Sequence, residues 1–144
     1  MSKEDPRLTP APRSAVPRLL EEGAAHYNAG RYWDAHEAWE EAWHALRAAG
    51  EQATADYLQG MILATAGLEN LKRGKEEGFK RQFASALHRF RTHRGEGARL
   101  GLAEEEVWRE ALTDLYLDAC RHRRIDHWAN REAPAPVLRL RPQV

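Results

Sequence analysis

The sequence predicts an all-α fold, an antiparallel bundle of about five helices built from helical hairpins. Apolar residues recur at helical spacing through most of the chain. Glycines such as Gly30, Gly50, Gly95 and Gly97 close the stripes. No strand pairing is evident, because no apolar alternation of the kind a half-buried strand needs competes with the helical stripes.

Each element follows from those signals. Pro17 suits a first helical position, and Leu19, Leu20, Ala24 and Tyr27 form a stripe that Gly30 stops. A second helix runs from about Tyr32 to Ala49, closed by Gly50, and so short a link makes an antiparallel hairpin. From about Ala53 to Arg73 the chain is apolar nearly all round ("YLQGMILATAGL"), the pattern of a central helix, with Gly60 and Gly67 inside it for close backbone approach. Phe79, Phe83, Ala86, Leu87 and Phe90 mark a fourth helix that Gly95 and Gly97 end. A fifth opens on three glutamates, favoured by the helix dipole, and places Val107, Ala111, Leu112, Leu115 and Ala119 on one side. The run "RHRRIDHW" extends it or follows it. Residues 1–13 read as a flexible tail, 14–130 as a single helical domain and 131–144 as a proline-spaced tail that cannot be helical throughout.

Composition restricts the function classes. The 144 residues suffice for a core without disulfide or metal, and 22 basic residues balance 22 acidic ones, so no global field draws the chain to nucleic acid or membrane. Cys120 is the single cysteine, which fits a reducing compartment. The start lacks the apolar centre of a signal peptide and no apolar run spans a bilayer, so the expectation is a cytoplasmic protein with no membrane partner. Charge is nonetheless uneven. Residues 72–99 hold nine Lys or Arg against three Glu, an excess of +6, and residues 21–41 hold six acids against Arg31, an excess of −5. Solvated outer faces, or attraction between subunits of a homo-oligomer, account for this more simply than nucleic-acid binding does. Exposed Trp33, Trp108 or Trp128 would mark such a subunit interface.

The chemically richest stretch is "WDAHEAWEEAW", residues 33–43. On a helical wheel Tyr32, Ala35, Trp39, Ala42, Trp43 and Leu46 fall within an arc of roughly 100°, the core face. His36, Glu40 and Arg47 lie together at its edge with Trp33 just beyond, whereas Glu37 points about 100° away from His36 and Glu41 toward water. Three readings fit the pair. As structure, imidazole and carboxylate satisfy each other at a core border. As chemistry, His-Glu-x-x-Glu is similar to the zinc-protease helix motif, with His36 and Glu40 as ligands of a divalent metal and Glu37 as catalytic base of a hydrolase. That site needs a third ligand, and His26, His44, His88, His93 and Glu69 are candidates that no spacing singles out. As a ligand pocket, Trp39 and Trp43 supply walls and His36 with Glu40 a donor and an acceptor. Gln59 joins them because a glutamine in so apolar a helix needs a partner, and Asn70 lies on its stripe.

"GRYWDAHEAWEEAW" followed by "YLQGMILATAGLENLKRGKEEGFKRQFASAL" resembles the domain of unknown function 309 family of small all-α proteins. The resemblance covers about residues 19–92. Its His-x-x-x-Glu-x-x-Trp mark falls on His36, Glu40 and Trp43, with Gln59 and Gly60 in the apolar helix and Gly74 and Gly78 at the following turn. Many relatives carry a histidine where this chain has Asn70, and an asparagine where it has Lys75. If that histidine completes a metal site in relatives, this chain lacks it. The family has no established activity, so the resemblance implies a fold and a residue set but no reaction. Gly23, Tyr32, Ala35, Trp39 and Ala42 also resemble the packing positions of one tetratricopeptide repeat, although an array needs about three units to be stable. That likeness suggests shared hairpin packing and a peptide-binding role.

Overall fold

The structure is a computed structural model that describes residues 9–121 and 135–142. Trp128, most of the basic run 121–124 and much of the expected N-terminal tail lie outside the described residues. After a 3-10 turn at Arg13–Ala15 come α1 (Val16–Asn28), α2 (Tyr32–Ala48), α3 (Gln52–Lys72), α4 (Glu76–Thr92), a one-turn α5 (Glu96–Arg99) and α6 (Glu105–Arg121). Helices α1 to α4 fall where the stripes and glycines put them, and the all-α class holds. The described residues also include a two-residue antiparallel ladder, β1 (Leu102–Ala103) with β2 (Arg139–Leu140), a strand pairing that the helical stripes do not announce.

One turn is used three times. At Gly30, Gly50 and Gly74 the backbone takes the left-handed conformation, with φ of 78°, 79° and 72°, which glycine adopts without a Cβ clash. Each time the next residue's N–H closes onto the carbonyl five residues back: Arg31 to His26, Glu51 to Leu46 and Lys75 to Asn70, at 2.9, 3.0 and 2.8 Å. The glycine N–H donates to the carbonyl three back, at Tyr27, Arg47 and Leu71. This pair of bonds satisfies the last carbonyls of each helix and reverses the chain within a few residues. Successive helices are therefore forced side by side, and α1 packs on α2, α2 on α3 and α3 on α4.

Close approach needs the glycines the sequence placed inside helices. A Cβ on Gly60 would stand 2.8 Å from the Phe90 ring and one on Gly67 2.5 Å from Phe83, so bare backbone of α3 is the surface on which α4 lays its phenylalanines. Tyr27, Trp39, Phe79, Phe83 and Phe90 make the aromatic core, joined from α6 by Trp108.

Three expectations for the C-terminal part are corrected. Trp108, a candidate interface marker, is 3% exposed, its ring 5.5 Å from Phe90 and its indole N–H donating to the Tyr27 hydroxyl at 3.3 Å. Val107, assigned to the inner face of the last helix, is 64% exposed: α6 begins only at Glu105, and the inward stripe runs through Trp108 and Leu112 instead. Gly97 does not end α4. Thr92 does, and Gly97 sits inside α5, buried where a Cβ would meet the Tyr57 hydroxyl at 2.8 Å.

Candidate functional site

Helix α2 divides its tryptophans between two environments. Trp39 is fully buried, its indole N–H donating to the Leu20 carbonyl at 3.3 Å, in a slot kept open by Gly23 of α1, where a Cβ would lie 2.1 Å from the indole nitrogen. Trp43, one turn on, is only half-buried, and its indole nitrogen is enclosed without an acceptor among the described residues. The Arg47 guanidinium lies 4.8 Å above the Trp43 ring and His44 meets its edge at 4.9 Å. At the other end of the stripe the Trp33 indole is 61% exposed and stacks on the His36 imidazole, centroids 5.2 Å apart and planes 6° from parallel.

Between these two stacks lie His36 and Glu40. The imidazole Nδ1 stands 3.7 Å from the Glu40 carboxylate, with side chains 21% and 37% exposed. That separation exceeds a hydrogen bond, so the pair is a loose ion pair when His36 is protonated and a mere neighbour when it is neutral. Helical spacing delivers all five residues, Trp33, His36, Glu40, Trp43 and Arg47, onto one stripe, where four planar groups and one carboxylate follow one another along α2.

The remaining candidates sit elsewhere. Glu37 is exposed and, with Glu22, His26, Asp34, Ala38 and Glu41, lines a shallow acidic cleft on the α1 side of α2. Asn70 donates to Gln82 of α4 at 2.6 Å, and its amide packs where a Cβ on Gly78 would come within 2.6 Å. Gln59 shares its stripe of α3, half-exposed, and among the described residues no hydrogen bond joins either to His36 or Glu40. Of the candidate third ligands, Glu69 is held by Arg73 at 2.8 Å, His26 accepts from Arg31 at 3.1 Å and His93 faces Asp56 at 3.4 Å, while His44 and His88 are exposed. Among the described residues no three His, Cys, Asp or Glu converge as a metal-holding group. Of the basic residues between 72 and 99, Arg73, Lys80 and Arg99 pair with glutamates one turn before them.

Sequence reasoning missed a second constellation, at Tyr27, Asn28 and Tyr32, which read as core and helix-end residues. The Tyr27 hydroxyl donates to the Pro136 carbonyl at 2.7 Å. The Asn28 side chain both donates to the Leu138 carbonyl at 2.8 Å and accepts from the Leu138 N–H at 2.9 Å, and the Ala135 backbone hydrogen-bonds the Tyr32 hydroxyl. Burial pushes both phenols upward in pKa, Tyr27 furthest. The sole sequence signal was an asparagine placed just before a helix-stopping glycine.

Fold and site together define an all-α domain of stacked hairpins carrying an aromatic and polar stripe on its second helix. Residues 20–81 match the model of the family described as Domain of unknown function (DUF309), so the chain is similar to that family over this segment, which runs from α1 into α4 and contains the whole stripe. No curated protein and no solved structure matches the chain. No helix among the described residues is long and apolar enough to cross a membrane.

Proposed function

We propose that the protein is a binding module whose receptor surface is the α2 stripe from Trp33 to Arg47. The observation that carries this reading is the exposed Trp33 indole held parallel to His36, a large apolar face kept rigid yet presented to water. A ligand with a planar group stacks there, Glu40 receives its donors, and the far end of the stripe supplies further planar groups at Trp43 and Arg47. Aromatic and arginine side chains are the residues that dominate binding energy at interfaces, which supports the same assignment.

The test is a nuclear magnetic resonance titration of the full chain with small aromatic carboxamides, following the indole N–H signals of Trp33 and Trp43. Saturable shifts that vanish in Trp33→Ala and persist in EDTA are expected. Shifts that need added zinc or manganese, and are lost in His36→Ala, would instead favour a metal-dependent role for His36 and Glu40. A panel in which no compound moves either signal ends the binding reading.

A further inference from the structure

The chain's own residues 135–141 are seated as a peptide ligand is seated in a receptor, and we infer that the groove holding them, formed by Tyr27, Asn28, Tyr32 and β1, is a binding site for an extended segment of another polypeptide. Three features separate this seat from ordinary packing of a tail.

First, the grip is on main chain. Asn28 offers its amide as one peptide plane offers itself to another, giving and taking a hydrogen bond at Leu138, while Tyr27 donates to the Pro136 carbonyl. On the far side the Arg141 N–H donates to the Gly101 carbonyl at 2.7 Å, and Leu140 and Arg139 pair with Leu102 and Ala103 of β1. These bonds read any extended backbone, which is how strand-addition receptors bind. Second, side chains are used alternately. Leu138 is 2% exposed and Leu140 packs against the core, whereas Val137, Arg139 and Arg141 face outward, so specificity resides in two leucine positions two residues apart. Proline at 136 costs nothing, since its carbonyl alone is used. Third, the groove is wider than its occupant. Beside residues 136–139 it continues as an open cleft lined by Val107, Trp108 and Ala111, with exposed Val107 and Val137 at its lip.

The ligand class is therefore an extended Pro-x-Leu-x-Leu segment, and the chain's own copy competes with it in cis. The competition makes the prediction sharp, because a tethered segment acts at a high effective concentration that a free peptide must overcome. The probe is a fluorescent peptide of sequence APVLRLRP, residues 135–142, added to the full-length protein. It should bind Leu138→Ala protein at least tenfold tighter than wild type, and lose at least tenfold when the peptide carries Leu138→Ala or the receptor also carries Asn28→Ala. Failure to bind a helical Leu138→Ala protein, or binding indifferent to Asn28 and to the peptide's leucine, overturns the inference. Should Leu138→Ala not fold, wild type decides: roughly millimolar peptide should speed hydrogen exchange at the Leu138 and Arg141 amides, and unchanged exchange overturns it. Neither outcome bears on the α2 stripe, which shares no residue with this seat.

Discussion

Helices α1 to α4 are joined by one repeated turn, whereas the segments after Thr92 are fixed by contacts that occur once each. In the first region each helix meets its neighbour in sequence, the glycines at 30, 50 and 74 reverse the chain identically, and apolar side chains dominate the packing. In the second, position depends on polar bonds across long sequence separations: Thr54 to Glu96 at 2.6 Å, Tyr57 to Glu105 at 2.6 Å, Trp108 to Tyr27, and residues 136 and 138 to α1. Local rules build the frame, and individual side chains attach the rest to it.

The largest effect expected from breaking this contrast is at Trp39. Trp39→Ala should lower stability by about 3–5 kcal/mol, since a fully buried indole is lost and the slot opposite Gly23 cannot collapse around the gap. Urea unfolding measures it, and a loss below about 1 kcal/mol would mean that the α1–α2 packing is not the frame.

A smaller effect is expected at Tyr27, where the two regions meet. Tyr27→Phe removes the donor to Pro136 and leaves the buried Trp108 N–H without its acceptor, a cost of about 1–3 kcal/mol. The pH dependence carries its own sign. Burial raises the Tyr27 pKa above its ordinary value, so the unfolded chain releases that proton first. The stabilisation is complete below about pH 10 and declines as pH rises beyond it. Chemical unfolding between neutral and alkaline pH should show a shallower decline in Tyr27→Phe, with Tyr57, likewise raised by burial and by its bond to the Glu105 carboxylate, and Tyr32 and Tyr116, also raised by burial, contributing to the remainder. Equal slopes in the two proteins would place the alkaline sensitivity elsewhere.

The smallest effect should be at the pair the sequence makes most conspicuous. A mutually satisfied pair at a core border would lose about 1–3 kcal/mol on single replacement. At 3.7 Å and partly exposed, His36 and Glu40 should instead couple by less than about 1 kcal/mol in a double-mutant cycle. A larger coupling would return the stripe to a structural role.

The same contrast explains what was legible. Gly60 and Gly67, seven apart in an apolar helix, announced close packing because helical periodicity links sequence to face directly. The edge position of His36, Glu40 and Arg47 was legible for that reason too. For Asn70 a wheel shows that it shares the stripe of Gln59 but not which helix covers it, and Gln82 of α4 takes its amide. The inward turn of Trp108 and the seating of Leu138 rest on tertiary bonds to Tyr27 and Asn28, which no periodicity encodes.

The repeated turn also sets an order of events. Contacts between sequence neighbours close quickly, because little loop entropy is lost in forming them, and a chain emerging from the ribosome meets its N-terminal partners first. Helices α1 to α4 can complete their hairpins while residues 135–142 are still unmade. Tyr27, Asn28 and Tyr32 are thus synthesised well before the segment that covers them, and during that interval the seat stands open to any suitable strand nearby.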